Sequence, residues 1–365
     1  MSFDDDRPSV GLAFSGGGFR ATAFGLGALR ALQDRDVLRD VRVVSGISGG
    51  SVLAAMWAYG PTSFEQFDNT VTELLEDGLQ MELARRALGP RRVTANVMSI
   101  ASSLLATPGN GTRGSTRTEA LVDALRARPF GELSMHDVTL RKLETVISAT
   151  DLSTGNAVRF GSTVSSCSPH GVISEPVSVA DAVAASAAFP ALLPQLNRQY
   201  TFVRSDGTEH LETMLMTDGG VYDNLGLTPL LPGRHHTHTS HAYNLDSLIA
   251  IDAGLGRSTA PAPNFILGRL KRSFEIAHSR NQDGSRARAH ELAAAGALQT
   301  FIHVYLGMRD SRLPVPIADL VGREQVVSYG TNFAKMRPED LNAIATRGEQ
   351  LTRALIEFYC PSLGT

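Results

Sequence analysis

Val41-Arg42-Val43-Val44-Ser45-Gly46-Ile47-Ser48-Gly49-Gly50-Ser51-Val52-Leu53-Ala54-Ala55-Met56-Trp57 runs from β-branched residues, through a glycine-rich turn, into a stretch of good helix formers. Valine suits a pleated strand, whereas leucine, alanine and methionine suit a helix. The segment reads as strand, tight turn, helix, with Ser48 at the turn. The same unit stands upstream: residues 10–14 are apolar, Ser15-Gly16-Gly17-Gly18 follows, and Phe24, Ala28 and Leu32 then recur at helical spacing. Two such units within sixty residues call for a parallel sheet with helices packed on it.

Downstream, Phe64, Phe67, Val71 and Leu74 keep a helical period, as do Val97, Ala101, Leu104 and Leu105, and the stretch closes on a Gly/Pro loop at 108–114. Residues 61–117 therefore read as a helical insertion, a lid or cap beside the site, within a single domain spanning 1–365. Strands are expected at 144–149, 157–160, 248–251 and 301–305. A hairpin is expected from 200–204 to 211–216, turning at Ser205-Asp206-Gly207-Thr208. A helix over about 265–295 is interrupted at Gly284, and a last helix opens at Pro338 with Leu341, Ile344, Leu351, Leu355 and Phe358 on one face.

The chain has 365 residues, 42% of them hydrophobic, and a net charge of −3 from 34 basic and 37 acidic residues. It can bury a large core, and it has no whole-molecule field to attract nucleic acid. The two cysteines, Cys167 and Cys360, lack metal-ligand or redox spacing and fit a reducing compartment. The acidic amino terminus argues against a cleaved export signal. The most apolar later run, 177–196, contains Asp181, Pro190 and Pro194 and reads as core, not a bilayer span. A cytoplasmic protein, with peripheral membrane contact at most, is expected.

Three segments carry chemistry. Gly46-Ile47-Ser48-Gly49-Gly50 fits GxSxG, and its strand-before, helix-after context is what a nucleophile elbow needs: the sharp turn exposes the serine oxygen and the helix start favours an anionic intermediate. A glycine-rich turn with a buried or capping serine fits the same letters. Ser15-Gly16-Gly17-Gly18 presents backbone N–H groups to an anion, either as an oxyanion hole beside Ser48 or, read as GxGxxA through Ala21 with Asp34 and Asp36 downstream, as a dinucleotide turn. Asp218-Gly219-Gly220 follows a strand; Asp218 is either a turn residue or a general base whose pKa is raised by burial.

Together, and in this order, the segments Gly16 to Arg20, Gly46 to Gly50 and Asp218 to Gly220 resemble the patatin-like phospholipases. Ala149-Thr150-Asp151-Leu152-Ser153-Thr154-Gly155 and Ala184-Ala185-Ser186-Ala187-Ala188-Phe189-Pro190 add to the likeness. Ser15 and Ala21 depart from the plant storage-type pattern and look more like the cytosolic phospholipase A2 branch. The resemblance implies a three-layer α/β/α fold with a mainly parallel central sheet. It further implies a hydrolase of phospholipid or lysophospholipid acyl esters, with Ser48 as nucleophile, Asp218 as base and then acid, and Gly16, Gly17 and Gly18 as oxyanion donors. Arg20 resembles a family arginine that either orders the loop or meets a lipid phosphate. Asp223 and Asn224 would order the base loop. No cofactor or metal is implied, and the partner is membrane or micellar lipid.

His235, His236, His238 and His241 read as a solvated loop, with metal binding as the alternative. Arg85, Arg86, Arg91, Arg92, Arg269, Lys271 and Arg272 read as solvated helix faces, with anionic head groups as the alternative. The rival enzyme is an α/β-hydrolase with a Ser-His-Asp triad drawing on His278 or His303; the rival outside hydrolases is a nucleotide-binding domain built on Gly16 to Gly18.

Overall fold

A computed structural model describes residues 8–80, 117–190, 193–237, 239–256 and 265–364. Among them run ten strands in one sheet: β1 (Val10–Phe14), β2 (Val41–Gly46), β3 (Glu144–Asp151), β4 (Ala157–Gly161), β5 (Ser166–Cys167), β6 (Gly171–Ile173), β7 (Leu196–Val203), β8 (Glu209–Asp218), β9 (Ser247–Asp252) and β10 (Thr300–Tyr305). The helices of eight or more residues are α1 (Gly18–Asp34), α2 (Gly49–Tyr59), α3 (Phe64–Asp77), α4 (Arg117–Leu125), α5 (Val179–Ser186), α6 (Ile266–Ala294) and α7 (Pro338–Tyr359).

The strands β10, β9, β1, β2 and β3 lie side by side in that order, each pair parallel. Their residues are apolar on both faces, as a strand covered twice requires. Leu12, Phe14, Ile249, Ile251, Ile302 and Val304 join a core with α1, α2 and α7, while Ala13, Leu248, Ala250 and Phe301 meet Ala289 and Leu292 of α6 and the 225–230 segment on the other side. This half is the expected three-layer arrangement. Helices α1 and α7 meet main chain to main chain: a Cβ on Gly27 would stand 1.8 Å from the Ala345 carbonyl oxygen, and one on Gly348 would stand 2.2 Å from that of Phe24.

The expectation of a mainly parallel sheet is corrected in the other half. From β3 onward every ladder is antiparallel, and β8 returns to pair with β3 through Ala149 and Asp218, so β3 to β8 close into a ring. The cause is connection length: β3 and β4 are separated by only residues 152–156, and β7 and β8 by 204–208, too short for the crossover a parallel pair needs. The hairpin itself stands where its turn residues placed it.

Helix α3 begins after Ser63, whose side chain accepts from the Gln66 N–H, and buries Phe67, Val71 and Leu74. The remainder of the expected insertion, including Val97 to Leu105, the 108–114 loop and the arginines at 85, 86, 91 and 92, lies outside the described residues, as does His238. Helix α6 runs unbroken through Gly284, where a Cβ would meet only open space, so an exposed glycine costs the helix too little to end it. In α7, Leu341, Ile344, Leu351 and Leu355 are buried but Phe358 is 51% exposed. The apolar 177–196 stretch contributes α5, buried along its whole length. No helix of the described residues is long and apolar enough to cross a membrane.

Candidate active site

β2 ends at Gly46 and α2 starts at Gly49, so Ser48 occupies the turn between them with φ 51 and ψ −121. A positive φ in a residue with a side chain is strained, and such strain is held only where neighbours impose it. Here the neighbours are main chain: a Cβ on Gly50 would lie 2.5 Å from the Ser15 carbonyl oxygen and 2.6 Å from that of Phe14, and one on Gly46 would lie 2.7 Å from Ser51 Cα. The Ile47 N–H donates to the Phe14 carbonyl at 3.1 Å, tying the elbow to the end of β1. Ser48 is 6% exposed.

The glycine loop packs directly on this elbow. A Cβ on Gly49 would be 1.9 Å from the Gly18 carbonyl oxygen, and Thr22 Oγ1 donates to the Gly49 carbonyl at 2.8 Å. Among the described residues no acceptor takes the N–H of Gly17 or Gly18. The Gly16 N–H differs from expectation: it donates to the Asn224 carbonyl at 3.0 Å and so cannot serve an oxyanion. Gly16 is instead the seat of Asn224, whose Oδ1 lies 2.4 Å from where a Gly16 Cβ would be and 2.6 Å from where a Gly220 Cβ would be.

Asp218 ends β8, and its carboxylate accepts the Gly220 N–H at 2.7 Å, with the Ser48 side chain close enough to lower its pKa. Burial pushes its pKa from 3.8 up to about 6, against the downward pull of the Gly220 N–H and the Ser48 hydroxyl. Gly219 lies over β3, where a Cβ would be 2.1 Å from the Ser148 carbonyl oxygen. Asp223 accepts from the N–H groups of Leu225 and Thr228 and from Thr228 Oγ1, which sets the helical turn after the base.

A clip that the sequence did not reveal joins the two halves. The end of α5 offers Ser186 Oγ to the Ser48 N–H at 2.9 Å, the Ser186 carbonyl to Gly219 N–H at 3.1 Å, and the Ala188 carbonyl to Asp218 N–H at 3.0 Å. Ser186 lies inside the Ala184 to Pro190 segment that resembles the family; only its spatial neighbours expose its task.

Arg20 is buried, with Nε donating to the Ala253 carbonyl at 3.1 Å and Nη1 to the Tyr329 carbonyl at 2.8 Å. Its place is under the glycine loop, holding it to the chain beyond β9. Desolvation lowers its pKa, partly offset by Asp252.

Histidines stand elsewhere. His303 Nε2 lies 3.1 Å from Asp252 Oδ2 on β10, three strands from β2, or about 14 Å by strand spacing. Burial pushes the Asp252 carboxyl upward, but His303 and the Gly254 N–H outweigh it and hold it below the ordinary value. His278 reaches the main chain of Gly220 from α6, and burial lowers its pKa. His241 departs from the expected solvated loop: it is wholly buried, and desolvation with the charges of Arg159 and Arg234 takes its pKa down to about 3. A cavity of about 510 Å³ opens beside the base turn, lined by Thr150, Asp151, Leu152, Tyr222 and Asn281 among others.

A strained serine at a helix start, a buried aspartate beside it, and a glycine loop packed on the elbow are the kinds of parts that acyl transfer uses. A family model described as patatin-like phospholipase matches residues 12–231, and the chain belongs to that family. It is 36% identical over 87 residues to "Probable lysophospholipase 3" of Schizosaccharomyces pombe, a match covering 22% of this chain and 12% of the yeast protein. Its fold is similar to that of human GIVD cytosolic phospholipase A2, with TM-score 0.56 and 14% identity over 97% of this chain and 59% of that one. The human protein in complex with methyl gamma-linolenyl fluorophosphonate gives TM-score 0.53 and 15% identity, covering 97% and 58%. The chain thus spans a small part of the yeast relative and somewhat over half of the human one.

Proposed function

We propose that the chain is a serine acyl hydrolase that cleaves fatty-acyl esters of phospholipids or lysophospholipids through an acyl-enzyme on Ser48. The observation that carries this is the buried Asp218 carboxylate beside Ser48, its pKa pushed by burial up to about 6. An aspartate at its ordinary value is too weak a base at pH 7; one near 6 accepts a proton and still stands ionised. Asp218 takes the Ser48 proton as Oγ attacks the ester carbonyl carbon. The Gly17 and Gly18 N–H groups hold the oxyanion. The proton then passes to the leaving lysolipid or glycerol oxygen as its bond to the acyl carbon breaks. Water, deprotonated by Asp218, releases the fatty acid and returns the proton to Ser48.

Contact with lipid is supported on α6, where Phe265, Ile266 and Leu270 are exposed by 61% or more and Arg269 and Arg272 stand among them. An apolar face edged with arginine suits an anionic bilayer surface. The decisive experiment is labelling with a fluorophosphonate followed by peptide mass spectrometry. Adduct on Ser48 is expected; a folded protein that hydrolyses lipid without modification at Ser48 would refute the assignment.

A further inference from the structure

The antiparallel ring carries a side-chain cluster that ester hydrolysis does not use. His210 and Glu212 are two residues apart on β8 and so share a face. That face is the inner one, since their ladder partners on β7, Phe202 and Tyr200, are both buried. His170, in the turn before β6, brings its ring to 5.3 Å from that of Phe202 and 6.1 Å from that of His210, and Phe202 stacks on His210 at 5.9 Å. One ligand-type atom each from His170, His210 and Glu212 lies within 4.8 Å of the others. Both ring nitrogens of His210 are shut off from solvent, and neither has a hydrogen-bond partner among the described residues.

Buried polar atoms are almost always partnered, and a histidine with two orphaned nitrogens inside an aromatic wall lacks what normally keeps it there. We propose that His170, His210 and Glu212 form a binding site for one divalent transition-metal ion of the zinc class. Two imidazole nitrogens and a carboxylate oxygen are a zinc-type donor set, and three protein ligands leave a fourth position for water. Ligand atoms around tetrahedral zinc stand about 3.3 Å apart, so the side chains of all three residues, His170 and His210 included, draw together on binding. Asp218 lies eight residues further along β8, about 27 Å in an extended strand, so the ion does not touch the ester chemistry. Its effect is to cross-link the turn bearing His170 to β8 at the mouth of the ring.

The test uses the full chain, untagged, stripped with chelator and titrated with zinc chloride by calorimetry, with thermal unfolding in parallel. One equivalent is expected to bind and to raise the Tm. His210→Gln and Glu212→Gln should each weaken binding at least about tenfold and remove the Tm shift, with ester hydrolysis unchanged. A His235→Asn/His236→Asn variant should bind as the parent does. Cobalt added to the unmutated protein should give the intense visible bands of a four-coordinate ion, which keeps the test open if a variant fails to fold. Absence of a bound equivalent, binding unaffected in the His210 and Glu212 variants, or loss of binding in the His235/His236 variant would each overturn the proposal.

Discussion

The main-chain N–H of Ser48 donates to the side-chain oxygen of Ser186 across 2.9 Å, although the two residues are 138 apart in sequence. The same Ser186 accepts the Gly219 N–H through its carbonyl. One residue at the end of α5 therefore sets the distance between the candidate nucleophile and the turn that carries its base.

Ser186→Ala removes the acceptor of a buried N–H and should destabilise the protein by about 1–3 kcal/mol, the cost of an unpaired buried donor. Turnover should fall, but by far less than in Ser48→Ala. Urea unfolding and ester kinetics on the same preparation test this; an unchanged urea midpoint would show that the contact is idle.

Ser48→Ala and Asp218→Asn should each reduce ester hydrolysis by on the order of 10³-fold or more. The amide at 218 can neither accept the serine proton nor hand it on. His278→Ala and His303→Ala should keep most activity, because one reaches toward the Gly220 main chain and the other pairs with Asp252. If either folded histidine variant lost as much as Ser48→Ala, a triad would replace the dyad.

Asp218 also links activity and stability to pH. With a pKa of about 6, its charged form accumulates above that value, so kcat/KM should rise through pH 6 and level off. Stability runs the other way. A carboxyl raised by burial from 3.8 binds its proton more tightly folded than unfolded; the stabilisation is full below about pH 4 and disappears as pH rises through about 6. At pH 8 Asp218→Asn should therefore exceed the parent in stability by about 3 kcal/mol, and the gap should close in acid. Denaturant titrations at pH 4 and pH 8 decide it: a gap of equal size at both values contradicts a raised pKa.

Phe265→Glu/Leu270→Glu should lower hydrolysis of anionic vesicles several-fold through weaker surface binding, while a dispersed short-chain ester is cleaved as before. Vesicle co-sedimentation and the two assays run side by side separate the effects. Equal loss on both substrates would place these residues in folding, not docking.

Much of this was legible in the sequence because it is local. A strand, a glycine turn and a helix are written within about fifteen residues at Ser48, and the Asp218 turn follows its strand in the same way. The hairpin at 205–208 and the Pro338 helix start are equally short-range signals. What escaped is what depends on register between distant strands. The Gly16 N–H looked available until Asn224 was brought against it, and the loop holding His241 looked wet until Arg159 and Tyr243 closed over that histidine. The return of β8 to β3 had no marker either, since ring closure is a property of six strands together.

The glycine loop at the end of β1 is completed by residues far downstream of it. Ser15 Oγ accepts the Ala253 N–H, 238 residues on, the Arg20 guanidinium grips the Tyr329 carbonyl, 309 residues on, and the Phe19 N–H donates to the Asn332 carbonyl at 2.9 Å. During synthesis, then, the serine and aspartate turns emerge well before the glycine loop has its supports. A nascent chain halted after Asp218 has both Ser48 and Asp218 and no β9 to seat β1 against. On the proposed function, activity would therefore trail the making of both turns and wait for the segment through Asn332, an order set by chain connectivity alone.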